Sequence, residues 1–271
     1  MQIKDHSISQ ENFNLIYNQD LDLYQTNPIP DNLDQYYISN DYISHTDNAR
    51  NWFEKMYQNV KKITLKSKYT LLINEIKNPK VLDFGCGTGD FIKYLHSKNI
   101  TGVGVEPNCF AREIALSKNI NVLENIKNLQ NQKFDIITLW HVLEHVPDYH
   151  NQIIQLKKLL NPNGIIIIAV PNFNSYDAQY YQEYWAAYDV PRHIWHFSKK
   201  TIDDIAQNTN FTLKTIKPMW FDSFYVSLLS EKYKNKKQNL IKATFIGLLS
   251  NIKAIKSKEF SSLIYILKAN E

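Results

Sequence analysis

VLDFGCGTGDF, residues 81–91, decides the fold of this chain. A short apolar run of strand type ends in the carboxylate Asp83, glycines follow at 85, 87 and 89, and a helical pattern opens at Asp90. Glycines at such a turn let the backbone approach a ligand closely, and the N–H groups of the helix start suit an anionic part of it. The spacing excludes two ligand classes. A dinucleotide loop, G-x-G-x-x-G, needs glycine at position 90, where the chain has Asp90. A nucleoside triphosphate loop needs G-x-x-x-x-G-K-[ST], and no such stretch occurs. Asp83 suits a ligand with a cationic amino group and would repel a pyrophosphate.

Outward from this loop, short apolar runs alternate with helical stretches. Strands are predicted at 80–83, 101–106, 120–122, 134–139 and 165–170, and helices at 90–97, 108–118 and 148–160. This order argues for a parallel sheet covered on both faces, and IIIIAV at 165–170, apolar throughout, reads as its central strand. Upstream, apolar positions at helical spacing run from Asn48 to Ile76, ending at Asn78-Pro79. Residues 1–47 form a polar, Tyr-rich leader or cap with a hairpin through FNLIYNQDLDLYQ, ahead of a main domain at 48–271. Downstream come an aromatic loop (171–197), a helix capped by Ser198, a strand FTLKTIKPM, a Lys-rich helical insertion (223–258) and a closing strand SSLIYILKA.

Composition narrows the function. The 271 residues are 44% hydrophobic and 21% charged, which excludes disorder, and two cysteines, Cys86 and Cys109, exclude a disulfide framework. A reducing, cytoplasmic setting is expected. The N-terminus lacks the basic start and apolar core of a signal peptide, and IIIIAV and FIGLL are far shorter than the roughly 20 residues of a membrane span. From Glu231 to Glu271 nine Lys face three Glu, a net of +6, which leaves −2 on residues 1–230. Only Arg50, Arg112 and Arg192 supply bidentate guanidinium donors, so nucleic acid is not expected as a partner.

The loop at 81–91 resembles motif I of the class I S-adenosylmethionine (SAM) methyltransferases, and three further stretches resemble that family in order. GVGVEP carries an acidic residue, Glu106, at the end of the next strand; FDIITLWHVLEHVPD is similar to the segment after the fourth strand; LLNPNGIIIIAVPN is similar to the segment that builds the fifth. The resemblance covers residues 76–215. It implies an α/β fold with a doubly wound, seven-stranded, mostly parallel Rossmann-like sheet, the last strand antiparallel, with the N-terminal cap before it and the helical insertion ahead of the last strand. It also implies SAM as cofactor. Asp83, Phe84, Gly85, Cys86, Gly87 and Gly89 would form the loop, Glu106 with Pro107 would take the ribose, and Asn125, Trp140, His141 and Val142 would line the adenine and methyl-donor side. TNPIPDNLDQYYISNDY resembles the leader of a subgroup that often carries a Cys-x-x-Cys zinc ribbon; with no cysteine before Cys86, the expectation is a hairpin without its metal. YDVPRHIWHFS, residues 188–198, resembles the segment that such enzymes place over the substrate mouth.

Several residues carry competing readings. Cys86 is read as a small packing residue rather than a nucleophile. His141, Glu144 and His145 have the H-x-x-E-H spacing of a metal helix, but no further ligand is evident and no metal is expected. His145 lies either near the sulfonium or in buried structure. In the aromatic loop, Tyr184, Trp185, Tyr188, Arg192 and His196 are expected to line the acceptor, with His193 the first candidate for a general base and His196 the second there, and His145 the candidate from outside the loop. Tyr42 and His45 either close over the methionine end of SAM or lie on the surface. In NLIKATFIGLLSNIKAI, Leu240, Ile241, Phe245, Leu248, Leu249, Ile252 and Ile255 fall on one side; docking on the chain's own domain or on a second copy is expected, with peripheral membrane contact through 239–255 the sharper alternative. The chain reads as a monomer or homodimer that methylates a small molecule at O or N, a sugar, lipid-linked or aromatic metabolite. A SAM-binding protein without transfer activity, and a protein or RNA methyltransferase docking through the basic tail, are the other readings.

Overall fold

The computed structural model describes residues 1–37, 52–129 and 132–270. The main sheet holds β4 (Val81–Phe84), β5 (Gly102–Val105), β6 (Val122–Leu123), β7 (Phe134–Trp140), β8 (Leu160–Pro171), β10 (Phe211–Pro218) and β11 (Ser262–Ala269). Its order is β10-β11-β8-β7-β4-β5-β6. β4 pairs in parallel with both β5 and β7, and β7 with β8, whereas β11 runs antiparallel between β8 and β10. This is the doubly wound, seven-stranded, mostly parallel sheet expected. The chain leaves β4 toward β5 on one side and returns to β7 on the other, so a crevice opens at the carboxyl ends of these three strands.

Alternation along the strands supplies both faces. Val81, Ile136, Ile165 and Ile167 enter one core, with Ile92, Leu95 and Leu72; Leu82, Ile137, Ile166 and Ile168 enter the other, with Leu156, Ile202 and Ile205. Both faces are roofed by helices: α1 (Trp52–Glu75), α2 (Asp90–His96), α3 (Cys109–Ser117), α4 (Tyr149–Lys157) and α6 (Lys199–Asn208). α6 starts where expected, with Ser198 and Thr201 forming a reciprocal cap.

The leader hairpin is present as β2 (Asn12–Asn18) and β3 (Leu23–Asn27), joined by β1 (Gln2–Lys4) and, across the molecule, by β9 (Trp195–His196). Asp5 holds the turn between β1 and β2 by accepting hydrogen bonds from the N–H and hydroxyl groups of both Ser7 and Ser9. The 171–197 segment corrects one expectation, because it is not an open loop. It forms α5 (Tyr176–Tyr181) and two 3-10 turns, and its rings pack with Ile3, Phe13, Leu15 and Tyr36 of the leader in a third core.

The insertion is a hairpin of α7 (Asp222–Asn235) and α8 (Leu240–Ser257). Its inner face corrects the expectation that the large apolar residues dock on the chain's own domain: Ala243, Gly247, Ser250 and Ala254 face the protein with Ile246 and Asn251. Small residues are needed there because a Cβ at Gly247 would stand 3.0 Å from the Phe224 backbone. Ile241, Phe245, Leu248, Ile252 and Ile255 point away from the protein.

Candidate active site

The glycine loop closes the crevice floor. Gly85, Gly87 and Gly89 have φ of 72°, 54° and 77°, the left-handed region that side chains disfavour. The Val105 carbonyl accepts from the N–H groups of Gly85 (2.8 Å) and Cys86 (3.1 Å), folding the loop back over β5. A Cβ at Gly85 would meet Val142 at 2.4 Å, whereas one at Gly87 would meet nothing within 4 Å. The loop is therefore packed on one side and open on the other. Cys86 packs as expected: a Cβ at Gly104 would lie 2.5 Å from its sulfur, and burial pushes its thiol pKa up, away from nucleophilic use.

Two buried carboxylates end β4 and β5. Asp83 accepts a 2.6 Å bond from the Thr138 hydroxyl; burial lifts its pKa to about 6, against the pull of Thr138 and Lys68. Glu106 accepts from Gly87 N–H (2.8 Å) and Asn108 N–H (2.9 Å), and burial raises it too. Phe84 is half-buried at the end of β4; Pro107 and Asn125 are exposed at the loop ends after β5 and β6.

Trp140 ends β7 with its indole N–H buried and unpartnered, its ring edge-on to Phe91. Lys68 of α1 brings its ammonium 4.4 Å from the Trp140 ring centroid, where burial lowers its pKa and Asp83 and Asp222 raise it. His141 follows in a left-handed conformation, φ 56°. Its Nε2 lies 3.0 Å from Asp222 at the start of the insertion, and its Nδ1 3.4 Å from Glu144. Burial opposes its charge, but the two carboxylates win and lift it to about 10, so His141 is an imidazolium.

Beyond His141 lies a histidine cluster. Glu144 is buried and held below the usual carboxylate range: burial pushes it up, but His141, His193 and His145 outweigh that. His145 places Nδ1 2.9 Å from the Arg192 carbonyl and 3.0 Å from the Tyr37 hydroxyl; His193 places Nδ1 2.8 Å from the Ala187 carbonyl. A carbonyl only accepts, so Nδ1 carries a proton in both rings and leaves each Nε2 facing away from these carbonyls. Burial and the neighbouring His193 hold His145 down to about 4, hence neutral. The spacing at 141–145 left the metal reading without a further ligand; the fold brings one in, since Glu144, His145 and His193 place ligand atoms within 4.8 Å of one another. These are the residues, among those described, that could hold a cation.

Residues 64–216 match the family described as a methyltransferase domain. The chain belongs to that family. It is 30% identical over 174 residues to a ubiquinone biosynthesis O-methyltransferase of Rickettsia typhi, covering 57% of this chain and 69% of that protein. It is 33% identical over 118 residues to the protein of the same description from Pasteurella multocida, covering 36% and 49%. The fold is similar to magnesium protoporphyrin IX methyltransferase from Synechocystis PCC 6803 (TM-score 0.57, 13% identity, 86% of this chain and 97% of that one). It is similar also to a SAM-dependent methyltransferase from Archaeoglobus fulgidus (TM-score 0.52, 17% identity, 80% and 100%).

This methyltransferase shares the fold of SAM-dependent methyltransferases, and its residues fit that cofactor: the open side of Gly87 gives room, with Asp83 and Glu106 buried beside the loop. The structure gathers the loop residues, Glu106, Trp140, His141 and Val142 around one crevice, with the His145–His193 pair beyond. It takes other expected residues elsewhere. Trp185 and Tyr188 are buried in the third core, ring against ring, with the Trp185 indole N–H donating to Asp177; they pack the cap instead of lining a mouth. Arg192 is a clamp, donating to Asp189, the Tyr36 carbonyl and Ser7. His196 is tied to Thr26 of β3 at 3.1 Å and is held far below its ordinary pKa by burial and then by His193. Tyr184 is half-buried beside His6. Tyr42 and His45 lie outside the described residues. Lys68, Thr138, Asp189 and Asp222 were not singled out in the sequence; no local pattern marks them, because only the tertiary fold brings them to the site.

Proposed function

We propose that this methyltransferase acts on a hydroxyl oxygen of its small-molecule acceptor, with His193 as general base and His145 beside it. The observation that carries this reading is the pair of imidazoles whose Nδ1 atoms face backbone carbonyls while Glu144 lies next to them. Bound SAM supplies a methyl on a sulfonium whose departure leaves a neutral thioether. Asp83 takes the cationic amino end of that cofactor, Glu106 the ribose hydroxyls, and the loop at Gly85, Gly87 and Gly89 its close approach. Phe84, Cys86, Pro107, Asn125, Trp140, His141 and Val142 complete that side, Trp140 and Phe91 excluding water. His193 Nε2 accepts the hydroxyl proton, and the carboxylates of Glu144 and of Asp189, 3.8 Å from that nitrogen, stabilise the imidazolium so formed.

The O-methyltransferase names of the relatives support oxygen as acceptor atom. Two free cysteines support a cytoplasmic setting, and the outward apolar side chains of α8 support a peripheral membrane contact through residues 239–255, by a monomer or a homodimer. The test is transfer of labelled methyl from SAM into a fractionated small-molecule extract. His193→Ala should lose about 10²–10⁴ in rate with SAM affinity kept; an unchanged rate would remove His193 from the base role.

A further inference from the structure

The insertion presents an apolar surface that its own domain leaves uncovered. Ile241, Phe245, Leu248, Ile252 and Ile255 of α8 are between 49% and 85% exposed. At helical spacing they fall within an arc of about 100° and run for about 21 Å along the axis. Lysines bracket both ends and one flank: Lys232, Lys234, Lys236 and Lys237 are exposed before the stripe, and Lys253, Lys256 and Lys258 toward its end. On the other flank, Asn251 donates a 2.8 Å hydrogen bond to the Trp220 carbonyl, which ties α8 to a turn where Trp220 and Phe221 are themselves exposed. The next residue, Asp222, holds His141 at 3.0 Å. One end of this turn therefore belongs to the exposed face and the other to the methyl-transfer site.

From this arrangement, and resting on the peripheral contact proposed above, we infer that the α8 stripe with Trp220 and Phe221 docks on an anionic lipid surface, holding the acceptor site at the bilayer interface so that a lipid-linked acceptor enters from it. Charge selects the occupant. Two copies meeting stripe to stripe would bring their lysines together, at a net of +6 over Glu231–Glu271 in each, whereas anionic headgroups neutralise them. No described helix is long and apolar enough to cross a membrane, and a helix lying in the interface needs only one apolar face.

Vesicle flotation tests this, using phosphatidylcholine alone and an equal mixture with phosphatidylglycerol. The chain should float with the mixed vesicles only, less so at high salt. Phe245→Asp combined with Ile252→Asp should cut that binding by about tenfold or more, with calorimetric SAM binding by the same variant unchanged as the control for folding. Flotation with neither vesicle, or equally with both, would overturn the inference. So would a dimer in sedimentation that the double variant breaks, which would give the stripe to a second copy. Absence of SAM binding by the unmodified chain would instead fail the underlying reading, whatever the vesicles show.

Discussion

Asp83 is a carboxylate kept out of water before any cofactor arrives, and its raised pKa of about 6 is the cost of that burial. A cationic ligand favours the ionised form, so SAM binding should release a proton at acid pH. The sign follows: affinity is full above about pH 7 and falls by about tenfold for each unit below about 6. Calorimetry across that range should show the slope in the native chain and a weaker, flat response in Asp83→Asn; a native response without slope would exclude Asp83 as the partner of the amino group. Asp83 and the three glycines were legible because strand end, tight turn and helix start are consecutive in the chain and impose residue types locally, and Glu106 from its place at the end of the next strand. Lys68 and Asp222 were not, since each is an ordinary charged residue of a helix until the fold sets it against Trp140 or His141.

At the scale of elements, periodicity placed most main-sheet strands and the helices over them within a few residues, because their apolar positions answer to one repeat and to burial on both faces. It misjudged the two segments whose burial partners are remote. The rings of 171–197 found a core only with the leader, and α8 turned its small residues inward because α7 comes too close for large ones. The second point predicts an expensive methyl group. Gly247→Ala would set a Cβ 2.9 Å from the Phe224 ring and 3.0 Å from its backbone, so it should destabilise the protein by about 1–3 kcal/mol. Thermal unfolding measures it, and an unchanged melting temperature would refute that close packing.

Across the site an ion triad, Asp222–His141–Glu144, ties the start of the insertion to the turn after β7. His141 has a folded pKa of about 10, raised above its ordinary 6.5. Its contribution to stability is therefore complete below about pH 6.5 and is lost as pH rises through about 10. Urea unfolding from neutral to alkaline pH should show that decline, and Asp222→Asn, which removes one anion, should reduce it; identical profiles would show that the triad carries no such linkage. The sheet, the cofactor loop and the class of reaction were readable from residue order alone, because they depend on residue types at short spacings, repeated strand by strand and concentrated at 81–91. Which histidines share a site, which ring nitrogens face backbone carbonyls, that Arg192 and Trp185 build the cap, and which face of α8 meets solvent emerge only in the folded chain. Those depend on groups far apart in the chain, whose burial and charge exist only once the core has brought them together.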